Sequence, residues 1–213
     1  SYSVTGVQTC ALPISTKKAV VSDKVKWTSS ITQKIKASTI KDGYLKLDTD
    51  LKVVKEFLTT NGIPEESITI SPVLMNEIWE NNNQTQTDKS YNLVQNIEVQ
   101  SSDVQKIDNL AKNINPIIGK GVLFSTNSLE FYYSKLPEAR IELLDSAIAD
   151  AKARASKLAN AGGKKIGALK SASSGVVQVM ALNSVDVSDY GMYDTSKIEK
   201  EIMVTVKASF EIN

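Results

Sequence analysis

The residues of this 213-residue chain that could do chemistry are mainly carboxylates, because it contains no histidine. Without an imidazole there is no His general base, no Ser-His-Asp or Cys-His nucleophile and no ordinary zinc site. Asp186, Asp189 and Asp194 fall within NSVDVSDYGMYDTSK, and a hard cation takes several oxygens from such a loop. Their spacing does not match an EF-hand, and a stretch rich in Asp, Ser and Gly reads as a solvated loop. Glu77 with Glu80, and Glu65 with Glu66, could be paired carboxylates for acid–base work. Acids this close in sequence read instead as exposed charge at loop ends. An enzyme would need distant acids, for example Glu77, Glu98 and Asp103, brought into one cleft. No catalytic, cofactor-binding or metal-binding residue is assigned.

The single cysteine, Cys10, permits no internal disulfide. It lies in VTGVQTCALPIS, which has no helical or strand period and is interrupted by Pro13. This stretch resembles the peptide obtained by translating a sequencing-library adapter. Residues 1–15 are therefore expected to lie outside the folded domain, with at most Tyr2–Gly6 pairing as an edge strand, and Cys10 is given no role. Lys24, Lys26, Lys34 and Lys36 form one face of a strand that could meet an anionic surface; the competing reading is a solvated face that discourages edge aggregation. Trp27 and Trp79 read as core or strand-pair residues. Gly162-Gly163 follows a helix and so reads as its stop, since phosphate loops precede one.

The elements that must position these residues show in the hydrophobic period. Val25, Trp27, Ile31 and Ile35 alternate with polar residues, which is the pattern of a half-buried strand over 23–36. Ile40, Tyr44, Leu47, Leu51, Val54 and Leu58 form a helical stripe that ends before Gly62, with Gly43 weakening its start. A strand interrupted at Pro72 runs over 67–80, and the polar ENNNQTQTDKS reads as a hairpin tip before a strand over 91–100. A helix over 103–115 carries Val104, Ile107, Leu110, Ala111 and Ile114, and a strand follows over 122–133. The helix over 137–161 is assigned a stripe of Ile141, Leu144, Ile148, Ala151, Ala155 and Leu158, with Ala147, Ala151 and Ala155 leaving room for a sheet. Two strands follow, over 165–170 and 176–182. A final one, over 198–212, alternates Ile202, Val204, Val206, Ala208, Phe210 and Ile212 with polar positions. Strands with one apolar face and helices on that face make an α+β fold with a mixed, mostly antiparallel sheet.

The stretch ELLDSAIADAKARASKLANAGGKKIGALKSASSG resembles the signature of the SIMPL-domain family, the periplasmic immunogenic or oxidative-stress-defence-like proteins. The resemblance falls on Ala147, Ala151, Arg154, Ala155, Leu158, Ala159, Gly163, Lys165, Ile166 and Gly167. The element order agrees from about Thr16 onward, with Ser22-Asp23 at a strand start, Gly62-Ile63 after a helix, and a strand at Ile68–Ser71. The resemblance implies an α+β fold, export or tethering by an N-terminal apolar segment, and ring-like oligomers in some members. It implies no catalytic residues. A native N-terminal signal or membrane anchor is expected to be missing from this chain.

The expectation is a SIMPL-like domain over residues 16–213, with lobes of about 16–100 and 101–213. Its function is expected to be non-enzymatic: an exported, periplasmic or envelope-tethered bacterial protein, stress-related, acting by self-association or partner binding without a cofactor. Partners are a second copy, a cell-envelope partner or an anionic surface. Nucleic acid is not expected, because 25 Lys and Arg against 24 Asp and Glu leave a net charge of +1. The alternatives are a carboxylate- or metal-dependent enzyme, which needs a pocket of convergent buried polar groups, and a small-molecule carrier, which needs an enclosed apolar cavity.

Overall fold

In a computed structural model, residues 9–79 and 87–213 are described. The strands are β1 (Thr9–Val21), β2 (Lys24–Lys36), β3 (Ile68–Ile70), β4 (Leu74–Ile78), β5 (Ser90–Ser101), β6 (Phe124–Tyr132), β7 (Ile166–Ser174), β8 (Gln178–Ala181) and β9 (Glu199–Ile212). The helices are α1 (Ile40–Thr60), α2 (Val104–Lys112), α3 (Asn115–Ile118) and α4 (Leu136–Ala161). The fold is α+β, with two antiparallel sheets ordered β3-β5-β2-β6 and β1-β9-β7; β4 also pairs with β5, and β8 with β9. Among the described residues no helix is long and apolar enough to cross a membrane. The chain divides into two compact units, Asp23–Tyr132 and a second made of the chain up to Ser22 together with Tyr133–Asn213. The lobes expected at about 16–100 and 101–213 are therefore drawn differently: residue 100 lies within β5, and the second unit joins both ends of the chain.

In the Asp23–Tyr132 unit the period-two reading of β2 is realised by buried Val25, Trp27, Ile31 and Ile35. The Trp27 ring meets Phe124 edge-on at 6.0 Å, and its indole N–H donates to Thr126 Oγ1 at 3.0 Å. Trp79 is the opposite case: it is 82% exposed and follows the end of β4 at Ile78, which corrects its reading as a core or strand-pair residue. Pro72 divides the expected 67–80 strand into β3 and β4, both registered on β5, as a residue that cannot donate to a ladder requires. The sequence stripe on α1 is rotated in the structure. Gly43, Leu47, Asp50, Val54, Phe57 and Leu58 are buried, while Ile40 and Tyr44 are exposed. Gly43 is where helix and sheet touch, since a Cβ there would lie 2.2 Å from Ile35 Cγ2. Its small size serves packing, and α1 runs through it from Ile40 to Thr60.

In the other unit β9 is the central strand. Ile202, Val204, Val206, Ala208 and Phe210 are all buried, and together with Ile14, Leu143 and the α4 alanines they form one core cluster. β1 pairs with β9 along its whole length, from Thr9↔Glu211 to Val21↔Glu199. This corrects the expectation that residues up to 15 stand outside the fold: Ile14 is 3% exposed, and Cys10 and Leu12 pack against the cluster. The proline that argued against a strand is accommodated because β1 is an edge strand of this sheet. The suggested Tyr2–Gly6 strand lies outside the described residues.

Helix α4 lies over β1 and β9. Its buried face is Ala139, Leu143, Ala147, Ala151, Ala155 and Ala159, so the assigned stripe is corrected: Ile141 and Leu158 are exposed. A row spaced strictly by four precesses about 40° per step around a helix, which follows a twisted sheet surface. Small side chains on that row let the helix axis approach closely, and the bulkier residues turn outward. Thr16 Oγ1 donates to the Leu143 carbonyl at 3.0 Å, and Lys18 Nζ to Glu142 at 2.6 Å, tying β1 to the helix.

Replacing Ala151 by Leu is expected to overpack this contact and cost about 1–3 kcal/mol, while replacing exposed Lys152 by Ala costs under about 0.5 kcal/mol. Equal costs in urea unfolding would sink the assigned face. Ile14→Ala is expected to cost about 2–4 kcal/mol; an unchanged unfolding midpoint would show that β1 adds nothing to the core.

Candidate functional site: a loop held by buried polar side chains

The carboxylates singled out by sequence are spread over the fold. Glu77 sits opposite Tyr91 on β5 and pairs with Lys89 at 3.5 Å. Glu98 is seven residues further along β5, roughly 20 Å away, where it pairs with Lys26 at 3.3 Å. Asp103 caps α2, accepting from the Lys106 N–H at 3.3 Å. Glu65 and Glu66 are exposed in a short 3-10 turn, and Glu80 lies outside the described residues. Asp186 and Asp189 are exposed. Asp194 accepts from the hydroxyl and the N–H of Ser196 at 2.7 and 2.8 Å. Those bonds, the hydroxyl's first, lower its carboxyl below the usual range. Among the described residues no three His, Cys, Asp or Glu side chains come together as a metal site needs.

Two buried acids escaped the sequence reading. Asp50 on α1 accepts from Gln33 Nε2 at 2.7 Å and from Lys46; Asp108 on α2 accepts from Lys112 at 2.8 Å. Both pairs are spaced i, i+4, a signal present in the sequence, but burial of the acid depends on which face meets the sheet. The lysine face of β2 is partly matched by its neighbours. Lys24 donates to Ser102 at 2.9 Å, Lys36 to Ser90 at 2.8 Å, and Lys26 has Glu98. An open groove of about 540 Å³ beside it is lined by Lys24, Lys26, Gln100, Ser102 and Tyr132 among others.

The most constructed surface feature is the segment of residues 182–198, between β8 and β9. Gln178 and Met180 pair with Met203 and Glu201, so by strand alternation they point away from α4, yet both are buried. The segment that buries them is held by Gln178. Its Nε2 donates to the Ser188 carbonyl at 2.6 Å, and its Oε1 accepts from the N–H of Met192 at 2.7 Å and of Ser188 at 3.3 Å. The returning chain then lies along β8: the Val179 N–H donates to Met192 O at 2.7 Å, and the Asp194 N–H to Val179 O at 2.8 Å. Gly191 (φ +87°) makes the turn, and a Cβ there would sit 2.8 Å from the Val177 carbonyl.

Lys200 holds the other end. It is 0% exposed, donates to the carbonyls of Asp194 and Lys197, and lies 5.8 Å from the centre of the Tyr193 ring. The Tyr193 hydroxyl accepts from the Tyr133 N–H at 3.0 Å. With its base fixed, the loop carries Val185 and Tyr190 into solvent at 86% and 95% exposure, with Val187 beside them. Sequence reading took this stretch as an ordinary solvated loop. Its one visible signal was a Gln and a Lys at strand positions flanking apolar loop residues.

Burial lowers the Lys200 ammonium below the ordinary lysine range, partly opposed by Asp194. A folded-state value below the unfolded one means that the buried charge costs stability at neutral pH. That cost fades as pH rises through the lowered value toward the unfolded one. The melting temperature of the wild type relative to Lys200→Met should therefore shift in the wild type's favour between pH 7 and 10. A shift the other way would mean that the charged form is favoured by folding.

No curated protein matches the chain significantly. The pattern of the SIMPL family, described as a protein of unknown function (DUF541), matches residues 14–210. That span begins within β1 and ends within β9, taking in both sheets and the 182–198 loop. The chain belongs to the SIMPL family.

Proposed function

We propose that the protein is a non-enzymatic, exported or envelope-tethered module that acts by self-association, with the 182–198 loop as its contact surface. The observation that carries this reading is the exposure of Val185 and Tyr190 on a loop whose base is fixed by buried Gln178 and Lys200. Burying polar side chains is favourable only when each finds its partners. Here the hydrogen bonds hold one loop shape, so less conformational entropy is lost when the loop is covered. Tyrosine is among the residue types enriched at binding hot spots. The extracytoplasmic setting rests on the resemblance of residues 147–167 to exported SIMPL-domain proteins.

Sedimentation velocity across a concentration series tests the reading. The wild type is expected to self-associate, and Val185→Ser/Tyr190→Ser to weaken the association about tenfold or more, since hot-spot truncations cost about 2 kcal/mol. The melting temperature should stay unchanged, because neither side chain is in the core. Equal association of the two proteins would remove the loop from the interface.

A further inference from the structure

The groove beside Lys24 and Lys26 is built from strand ends of the Asp23–Tyr132 unit. Register sets Lys26 opposite Gln100 on β5 and Lys24 opposite Tyr132 on β6. Ile68 lies opposite Val99, which brings Ser67 up beside Gln100. Val25, Trp27 and Val99 are buried, so by alternation Lys24, Lys26, Gln100 and Tyr132 share the other face of the sheet. Ser101 and Ser102 close the rim, and among the described residues no Asp or Glu lines the groove. Its hydrogen-bonding capacity is weighted toward donors. Ser102 Oγ accepts from Lys24 at 2.9 Å, and Ser101 Oγ from the Asp103 N–H at 3.0 Å, which leaves both O–H groups to donate. The Lys24 ammonium has three N–H bonds, and Ser102 takes one of them. Lys26 differs, because its charge is matched by Glu98 at 3.3 Å, whose other oxygen accepts from Gln100 at 3.1 Å. Lys24 is thus the cation left facing the groove, with a neutral hydroxyl for a partner.

We propose that this groove binds a monosaccharide carrying one oxyanion, either a phosphate or a carboxylate. The oxyanion lies against Lys24 Nζ and the Ser101 and Ser102 hydroxyls, where charge-assisted bonds form. A lysine among hydroxyls acts as a point charge and accepts either kind of oxyanion. The sugar hydroxyls reach Ser67 and Gln100. The Tyr132 ring, its hydroxyl donating to Glu130 at 2.9 Å, supplies the flank. The groove's volume of about 540 Å³ falls in the small-ligand range of about 300–1,000 Å³ and is more than a bare oxyanion fills. Its surroundings oppose an extended polyanion. Glu65 and Glu66 are exposed beside Ser67, Asp103 is exposed beside Ser102, and Glu130 faces Lys26 across the strands. A flat anionic surface would meet these carboxylates, whereas a ligand inside the groove does not. Lys34 and Lys36 lie roughly 30 Å further along β2, too far to share the ligand. The site does not involve the 182–198 loop and does not rest on self-association.

An amide NMR titration of the full chain at fixed ionic strength tests it, with glucose 6-phosphate, glucuronate, glucose and inorganic phosphate as probes. Glucose 6-phosphate and glucuronate are expected to shift the amides of Val25, Gln100, Ser101 and Ser102 saturably, with a dissociation constant of about 1 mM. Glucose and phosphate are each expected to bind at least about tenfold more weakly. Lys24→Gln should weaken sugar-anion binding about tenfold, as loss of a charged hydrogen bond does, and Lys24→Arg should keep most of it. Lys24 is exposed, so both variants are expected to fold, which circular dichroism checks. Shifts that grow linearly without saturating, or that spread evenly over the surface lysines, would overturn the site as mere attraction of anions. Glucose binding as tightly as glucose 6-phosphate would remove the oxyanion from the proposal, and phosphate binding as tightly would remove the sugar; either overturns it. Unchanged binding by Lys24→Gln would place the ligand elsewhere. Lys24-dependent binding to phosphatidylglycerol vesicles, with no binding of the soluble sugars, would replace the groove ligand by a membrane surface.

Discussion

The second unit depends on the register of β9. This strand has a partner on each edge, β1 along one and β7 and β8 along the other. Its alternate side chains form the floor under α4. A slip of one residue would exchange Val204, Val206 and Ala208 for Thr205, Lys207 and Ser209, placing a lysine in the core. That penalty locks the register, and the register sets where everything else in the unit lies. β1, separated from β9 by most of the chain, is placed by pairing with it. The end where β9 begins carries the 182–198 loop, and the end where it finishes meets the last turn of α4.

A second constraint is close approach. In each unit a helix meets its sheet through the smallest available residues, Gly43 on α1 and the alanine row on α4. Dense packing at such a crossing leaves no room for a larger side chain. The bulky apolar residues of α4 are therefore displaced toward the helix flanks or into solvent, Leu144 and Ile148 partly covered, Ile141 and Leu158 exposed. Surface apolar groups on α4 are thus a direct consequence of how its core contact is made. The same geometry leaves Leu158 among the basic residues at the helix end.

The loop is a case of polar burial used to specify shape. An apolar residue at position 178 or 200 would bury more cheaply but would leave the Ser188 carbonyl, the Met192 N–H or the carbonyls of Asp194 and Lys197 without these partners. Gln178 and Lys200 fill those bonds, and the segment gains one arrangement in place of many. Its apolar tip is then presented by a rigid base, which links the interior of the sheet to the proposed contact surface.

The sequence by itself determined the α+β class, the alternating strands β2 and β9, the division at Pro72, the stop at Gly162-Gly163 and the SIMPL resemblance. These are local signals: period two, period 3.6 and the backbone limits of Pro and Gly act between residues a few positions apart. Tertiary structure decided what local signals leave open. β1 has weak alternation and a proline, and it is a strand because β9 offers it an edge. The buried face of α4 follows from how closely the sheet approaches, which favours Ala147 and Ala151 over the more hydrophobic Ile141 and Leu158. Trp79 is exposed despite its aromatic ring, and it follows the last paired residue of β4, Ile78. The loop was legible as a loop, but not as a fixed one, because its anchors reach across ten to fourteen residues from Gln178 and depend on where β8 already lies. Burial of a polar side chain is a property of the assembled sheet, so the candidate site, unlike most of the fold, had to wait for tertiary structure.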